Sequence, residues 1–331
     1  MLRAMARKRP PRRPNNRPSK VDLTGTPDGR VVDRRGPVMT VETPDGARIP
    51  CVGRGRGKRA VVGDAVFLQL DADTDLADAL IVGIAERRTA LVRADALGRR
   101  AQVLAANVDQ VFVVCAIEPP LRLGLVDRYL VAAEQAGIKG YVLFNKLDLL
   151  GDEGSEGREL VHEILAPYDA IGYPVFYTSA KTGEGVDTLR AQLDGQCSLF
   201  VGHSGVGKTS LLNALDSGLG EKVLELSTSS GRGVHTTATA SLYHLPSGGE
   251  LIDSPGVRGF APWDLDPKNL RDLFPELRAL QFECRFADCQ HLEEPGCAVQ
   301  EALDEGEIAD SRYESYTKIR ESLTGEAGRF F

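Results

Sequence analysis

Four short segments carry residues whose types and spacing could do chemistry on a nucleoside triphosphate. Gly202-His203-Ser204-Gly205-Val206-Gly207-Lys208-Thr209, followed by Ser210, fits the phosphate-loop pattern G-x-x-x-x-G-K-[ST]. Its glycines let successive backbone N–H groups turn toward one anion. The helix that follows adds a favourable dipole, and Lys208 brings a point charge to the β- and γ-phosphates. The Thr209 hydroxyl is the expected Mg²⁺ ligand. Asn145-Lys146-Leu147-Asp148 and Thr178-Ser179-Ala180-Lys181 read the base. The Asp148 carboxylate would accept from guanine N1–H and the exocyclic amine. Adenine offers an acceptor at N1, and burying it against a carboxylate costs about 1–3 kcal/mol. Lys146 would lie along the base, and the Ala180 N–H would meet guanine O6. In Asp253-Ser254-Pro255-Gly256, Asp253 would hold Mg²⁺ through water and the Gly256 N–H would sense the γ-phosphate.

Val257 follows that last motif, where many GTPases carry a glutamine that orients the attacking water. An apolar side chain cannot do this, so another group must. His235, in Gly231-Arg232-Gly233-Val234-His235-Thr236-Thr237, is the candidate. It precedes the threonine expected to close over Mg²⁺, Thr237, with Thr236 as the alternative.

A second chemistry lies further on. Cys284-x₄-Cys289-x-His291-x₅-Cys297 offers three thiolates and one imidazole. Four such ligands suit tetrahedral Zn²⁺ with no open position, so the expected ion is structural and staples a segment too small to build its own core. Cys51, Cys115 and Cys197 sit in or beside apolar runs and read as small core residues.

The elements that must position these groups follow from the pattern. Val111–Ala116 is a continuous apolar run, as a buried parallel strand should be. Tyr141–Phe144 delivers Asn145, Val175–Tyr177 delivers Ser179, Ser198–Val201 delivers the phosphate loop, and Glu250–Ile252 delivers Asp253. Helical stretches at 125–136, 157–166 and 208–215 alternate with them, which predicts a doubly wound α/β domain over 96–263 with ligand loops at the strand ends. The guanine motifs precede the phosphate loop, the reverse of the ordinary GTPase order, so the domain reads as circularly permuted. Before it, residues 36–95 hold short strands broken by turns and no helix, which predicts a β-barrel of OB type. Arg54, Arg56, Lys58 and Arg59 crowd one glycine-rich loop there and suit contacts to an RNA backbone. Residues 264–331 form the expected metal-binding, mostly helical domain, in which Tyr313, Tyr316, Ile319 and Leu323 recur at helical spacing.

Charge is uneven. The first 20 residues hold eight of the 40 basic residues and no acid, which leaves 32 basic against 47 acidic residues in the remainder. A basic, proline-rich tail suits a polyanion such as RNA, and residues 1–35 read as tail and linker. No apolar run is long enough to span a bilayer and no secretory signal opens the chain, so the expectation is a cytoplasmic, monomeric protein without membrane contact.

The permuted order, the segments GHSGVGKTS, GRGVHTT and DSPGVR, and the C-x₄-C-x-H-x₅-C cluster together resemble the RsgA family of ribosome-biogenesis GTPases across residues 36–325. The resemblance implies an OB-fold, a permuted GTPase domain and a zinc domain. It further implies a GTP hydrolase that binds the small ribosomal subunit through rRNA, assists late maturation and is released on hydrolysis. It carries the catalytic histidine to His235. The run of three threonines common after that histidine is Thr236-Thr237-Ala238 here. Two other readings are a GTP-switched RNA-binding placeholder with incidental hydrolysis, and a large-subunit assembly GTPase. The permutation also sets Thr237 and Gly256 directly before the zinc domain, so loss of the γ-phosphate would be expected to swing that domain.

Overall fold

The computed structural model describes residues 25–70, 77–95, 98–216, 240–254 and 260–324. Five strands close a barrel: β1 (Gly29–Arg35), β2 (Val38–Glu42), β3 (Arg48–Gly53), β4 (Ala65–Leu70) and β5 (Ala79–Ile84). Their order is β1-β2-β3-β5-β4, with β4 returning to β1 and only β3–β5 parallel, which is the OB arrangement. Residues 29–35 are therefore a strand, not part of the linker expected over 21–35. The register shifts between Val31 and Asp33, so both Val31 and Val32 face inward and the alternation that would announce a strand is broken. A second correction concerns the boundary at 95/96. The hairpin β6 (Ala90–Ala94) and β7 (Ala101–Ala106) straddles it.

The second domain is a doubly wound sheet. Strands β8 (Gln110–Cys115), β9 (Lys139–Phe144), β10 (Val175–Tyr177), β11 (Cys197–Gly202) and β13 (Glu250–Asp253) run parallel in the order β10-β9-β8-β11-β13. Both faces of β8 and β11 are buried. Val111, Val113, Leu199 and Val201 pack with α1 (Leu123–Ala136) and α2 (Glu156–Ala170). Phe112, Val114 and Phe200 pack with α3 (Val186–Leu193) and α4 (Lys208–Leu215) on the other face. Alternate residues of one strand thus feed two helix layers, which is why these strands read as unbroken apolar runs.

An antiparallel strand, β12 (Ser241–His244), links barrel and sheet. It pairs with β13 along its length and with β1 at Asp33–Ser241. The Ser241 hydroxyl donates to Asp33 at 2.6 Å, and Arg30 on β1 pairs with Glu250 on β13. The barrel is consequently one strand away from Asp253.

The last lobe holds α5 (Pro275–Leu280), α6 (Ala298–Asp304) and α7 (Asp310–Thr324) around Leu270, Phe274, Val299, Tyr316 and Ile319. Arg312 of α7 is buried and bonds Asp127 of α1 at 2.5 Å and Glu276 of α5 at 2.7 Å. Its guanidinium lies 4.7 Å from the Phe274 ring centroid and 5.4 Å from that of Tyr168. Burial works against its charge, but Asp127 and Glu276 outweigh it and raise the Arg312 pKa. Arg278 adds a pair to Glu134 of α1 at 3.1 Å. The lobe is therefore fastened to α1 rather than tethered by chain alone.

Candidate nucleotide site and metal centre

Loops from the carboxyl ends of β9, β10 and β11 meet at Asn145. Its side-chain N–H donates to the Val206 carbonyl at 2.9 Å, and its Oδ1 accepts from the Ala180 N–H at 3.1 Å. One buried amide thereby joins the phosphate loop to both base-reading loops. Gly207 makes this possible, because a Cβ there would stand 2.3 Å from Asn145 Nδ2. Gly202 is equally constrained, at φ +140° with a Cβ position 2.2 Å from the Val114 carbonyl oxygen. Leu147 is buried and its N–H donates to the Thr178 carbonyl at 3.1 Å, so it anchors the base-reading loop. Lys146 adopts φ +70° and its ammonium donates to the Glu118 carbonyl at 2.7 Å.

Asp148 accepts from the Ser179 hydroxyl at 2.7 Å and faces Lys181 at 3.4 Å. The Ser179 bond, with Lys181 behind it, holds its carboxyl below the usual range. The group is a fixed acceptor at neutral pH.

Lys208 opens α4 and is buried, with its ammonium donating to the carbonyls of Gly202 at 3.1 Å and His203 at 3.2 Å. Burial lowers its pKa, against the pull of Asp253. Ser204, Gly205 and Ser210 are exposed, and the His203 Nδ1 lies 2.7 Å from the Ser204 carbonyl oxygen. The Thr209 hydroxyl donates to Asp253 Oδ2 at 3.3 Å, so the two expected Mg²⁺ groups converge. The other oxygen of Asp253 is buried and has no partner among the described residues. Burial pushes this carboxyl up to about 6, against Lys208 and Thr209. A buried carboxylate oxygen left free beside a hydroxyl fits a cation. His235, Thr236, Thr237 and Gly256 lie outside the described residues.

The metal centre is compact. The donor atoms of Cys284, Cys289, His291 and Cys297 all lie within 4.8 Å of one another. His291 Nδ1 is 3.5 Å from Cys284 Sγ and 3.4 Å from Cys297 Sγ, and those sulfurs are 4.0 Å apart. Tetrahedral bonds of about 2.3 Å to sulfur and about 2.0 Å to nitrogen put sulfur and nitrogen roughly 3.5 Å apart and two sulfurs roughly 3.8 Å apart. The donor set thus fits one ion, with Nδ1 as the imidazole donor.

Arg54, Arg56, Lys58 and Arg59 are exposed on and beside the 3₁₀ turn Gly55–Arg59, and none has an ion-pair partner among the described residues. Sequence reasoning missed the Arg312–Asp127 pair. Its signal was present, an aspartate inside the apolar face Val126, Tyr129, Leu130 of α1. An unpaired acid there would be too costly to bury.

A doubly wound sheet whose base-reading loops precede its phosphate loop defines a circularly permuted GTPase. The RsgA GTPase family model matches residues 84–263. Small ribosomal subunit biogenesis GTPase RsgA of Shewanella oneidensis is 41% identical over 314 residues, 93% of this chain and 87% of that one. The protein of the same name in Dickeya dadantii is 41% identical, covering 91% of this chain and 86% of its own. Among solved structures, YjeQ from Thermotoga maritima is 34% identical with a TM-score of 0.66, over 90% of this chain and 98% of that one. YloQ, described as a circularly permuted GTPase, is 28% identical with the same TM-score, over 93% and 98%. The chain belongs to the RsgA GTPase family.

Proposed function

We propose that this protein hydrolyses GTP to GDP and phosphate on the small ribosomal subunit, assists late maturation of that particle, and leaves once hydrolysis is complete. The observation that carries the reading is the junction at Asn145, where the two base-reading loops and the phosphate loop are bonded into one pocket. The names of the relatives support the choice of particle.

In this reading Asp148 and the Ala180 N–H select guanine, Lys146 covers the base, and Leu147 and Ser179 hold the loops in register. Gly202 to Gly207 and Ser210 wrap the phosphates. Lys208 exchanges its two carbonyl partners for phosphate oxygens, which have the charge those carbonyls lack. Thr209, Asp253 and Thr237 hold Mg²⁺, which neutralises charge on the β- and γ-phosphates when bound. Gly256 senses the γ-phosphate and His235 orients the attacking water. Lacking the usual glutamine, the protein alone turns over slowly, and docking on the particle stimulates it. Arg54, Arg56, Lys58 and Arg59 contact the rRNA backbone, and Zn²⁺ holds the C-terminal lobe together. The protein works as a cytoplasmic monomer.

The fastening of that lobe changes the expected release step. A swing of the lobe alone would part the buried Arg312–Asp127 pair and the Arg278–Glu134 pair. The lobe and α1 therefore move together.

The test is the GTPase rate with and without purified small subunits, across a salt series. Stimulation that fades steeply with salt supports backbone docking. ATP hydrolysed as readily as GTP, or equal stimulation by large subunits, defeats the proposal. Release that is equally fast with a non-hydrolysable analogue reduces the protein to a switched placeholder. A His235→Ala protein with full stimulated turnover removes the histidine from the mechanism.

A further inference from the structure

The metal lobe carries an aromatic tip. Phe282 is 91% exposed and Phe286 41%, and they flank the metal-site residue Cys284. Arg285 stacks on the Phe286 ring at 5.4 Å. The tip does not dangle. The Glu283 N–H donates to the Leu280 carbonyl at the end of α5, the Arg285 N–H to the Gly296 carbonyl, and the Cys289 N–H to the Phe286 carbonyl. Phe282 is thus held outward by a loop pinned at both ends. An exposed aromatic on a pinned loop is a preformed anchor, since little ordering remains to be done on binding.

The charge around the tip chooses the partner. Residues 264–324 contain fifteen acidic and seven basic side chains. Arg271, Arg278, Arg312 and Lys318 are already tied to groups of the protein itself, and Arg285, the one cation within the tip, lies over the Phe286 ring. Glu283, Asp288 and Glu293 are exposed around the tip and have no cationic partner among the described residues. Such a surface repels nucleic-acid phosphates and attracts cations. The barrel turn with Arg54, Arg56, Lys58 and Arg59 has the opposite sign.

We propose that Phe282 and Phe286, framed by Glu283 and Asp288, form a docking surface for a lysine- and arginine-rich polypeptide segment of the small subunit, its aliphatic side-chain stems lying on the rings and its charges on the carboxylates. The inference rests on the reading of this chain as a small-subunit factor. It assigns the two ends different partners: RNA at the barrel, protein at the metal lobe.

Co-sedimentation of the full zinc-loaded chain with small subunits tests it, with metal content and intrinsic GTPase rate as controls. Phe282→Ser is expected to weaken binding about tenfold, and the double change Glu283→Lys with Asp288→Lys by a similar factor. Because these residues are exposed and outside the nucleotide pocket, both controls are expected to hold. Charge reversal that tightens binding overturns the proposal and gives the surface to RNA. An unchanged affinity for Phe282→Ser also overturns it. A photo-reactive phenylalanine at position 282 gives a second readout. Cross-linking to a ribosomal protein agrees with the proposal, whereas cross-linking to rRNA, or none on a docked particle, contradicts it. Should the unsubstituted chain fail to pellet with small subunits, the functional reading itself fails, before any substitution is compared.

Discussion

The nucleotide pocket and the metal lobe are both made of loops, yet they are held in different ways. Each loop of the pocket leaves a strand of the sheet, and the Asn145 amide bonds three loops together. The metal donors come from one stretch, 284–297, whose Cys289 and Cys297 join the lobe's buried core and whose carbonyls accept from Arg271, Gln300, Tyr313 and Tyr316. Three thiols and an imidazole face one another there, and burial pushes the Cys289 thiol up. The pocket joins loops from strands far apart in sequence; the metal donors are gathered by one local segment.

Removing the ion is the largest perturbation this contrast predicts. Structural zinc in small modules contributes on the order of 10 kcal/mol to folding. Cys289→Ser, or chelation, is expected to release one equivalent of zinc, expose 284–297 to protease and abolish small-subunit binding, while GTP affinity changes little. A chelated protein that also lost GTP affinity would show that the two sites are not separately supported.

Arg312 tests the joint between them. Arg312→Met leaves Asp127 and Glu276 buried without their cation, and breaking such a pair costs about 3–5 kcal/mol. Urea denaturation would measure it. The unfolding transition is expected to split, the lobe melting before the GTPase domain. A single transition, shifted as a whole, would mean that lobe and sheet fold as one unit through other contacts.

The same contrast explains how much the sequence disclosed. The strands of the pocket were legible because burial on both faces leaves unbroken apolar runs such as Val111–Ala116. The phosphate loop was legible because only glycine tolerates the φ and close approach at Gly202 and Gly207. The metal cluster was legible because its ligands are local in sequence. Strand β1 was not, since a register shift at Val31/Asp33 spoils its alternation and Arg30, Arg34 and Arg35 give it the look of a linker. Strand β7, Ala101–Ala106, is half alanine and has weak strand preference. The Arg312–Asp127 pair joins positions 185 apart, a separation no local pattern can report.

Within the pocket, base selection should be separable from assembly. Asp148 is bonded to Ser179 and Lys181 but not to Asn145 or the phosphate loop. Asp148→Asn replaces an acceptor by an amide that can donate, so guanine N1–H loses its partner while the xanthine oxygen at C2 gains one. The expected loss is about 1–3 kcal/mol of GTP affinity, one to two powers of ten, with compensating XTP binding and unchanged thermal stability. Asn145→Ala is the contrasting variant, expected to lower stability and nucleotide affinity together because it unties the loops. Equal behaviour of the two variants would erase the distinction.

The smallest effect concerns pH. Burial raises the Asp253 carboxyl from an ordinary 3.8 to about 6. A raised acid favours the protonated fold, so its contribution to stability is full below about 4 and is lost as pH rises through about 6. Mg²⁺ with nucleotide needs the carboxylate, so binding carries the opposite dependence: full above about 6, falling by up to about tenfold per unit below it. The thermal stabilisation given by Mg²⁺–GDP is therefore expected to be constant from about pH 8 to 7 and to shrink steadily between about 6.5 and 5. Asp253→Asn should bind more weakly throughout and show no such slope. A slope retained by Asp253→Asn would assign the titration to another group and leave the buried, unpartnered oxygen without a role.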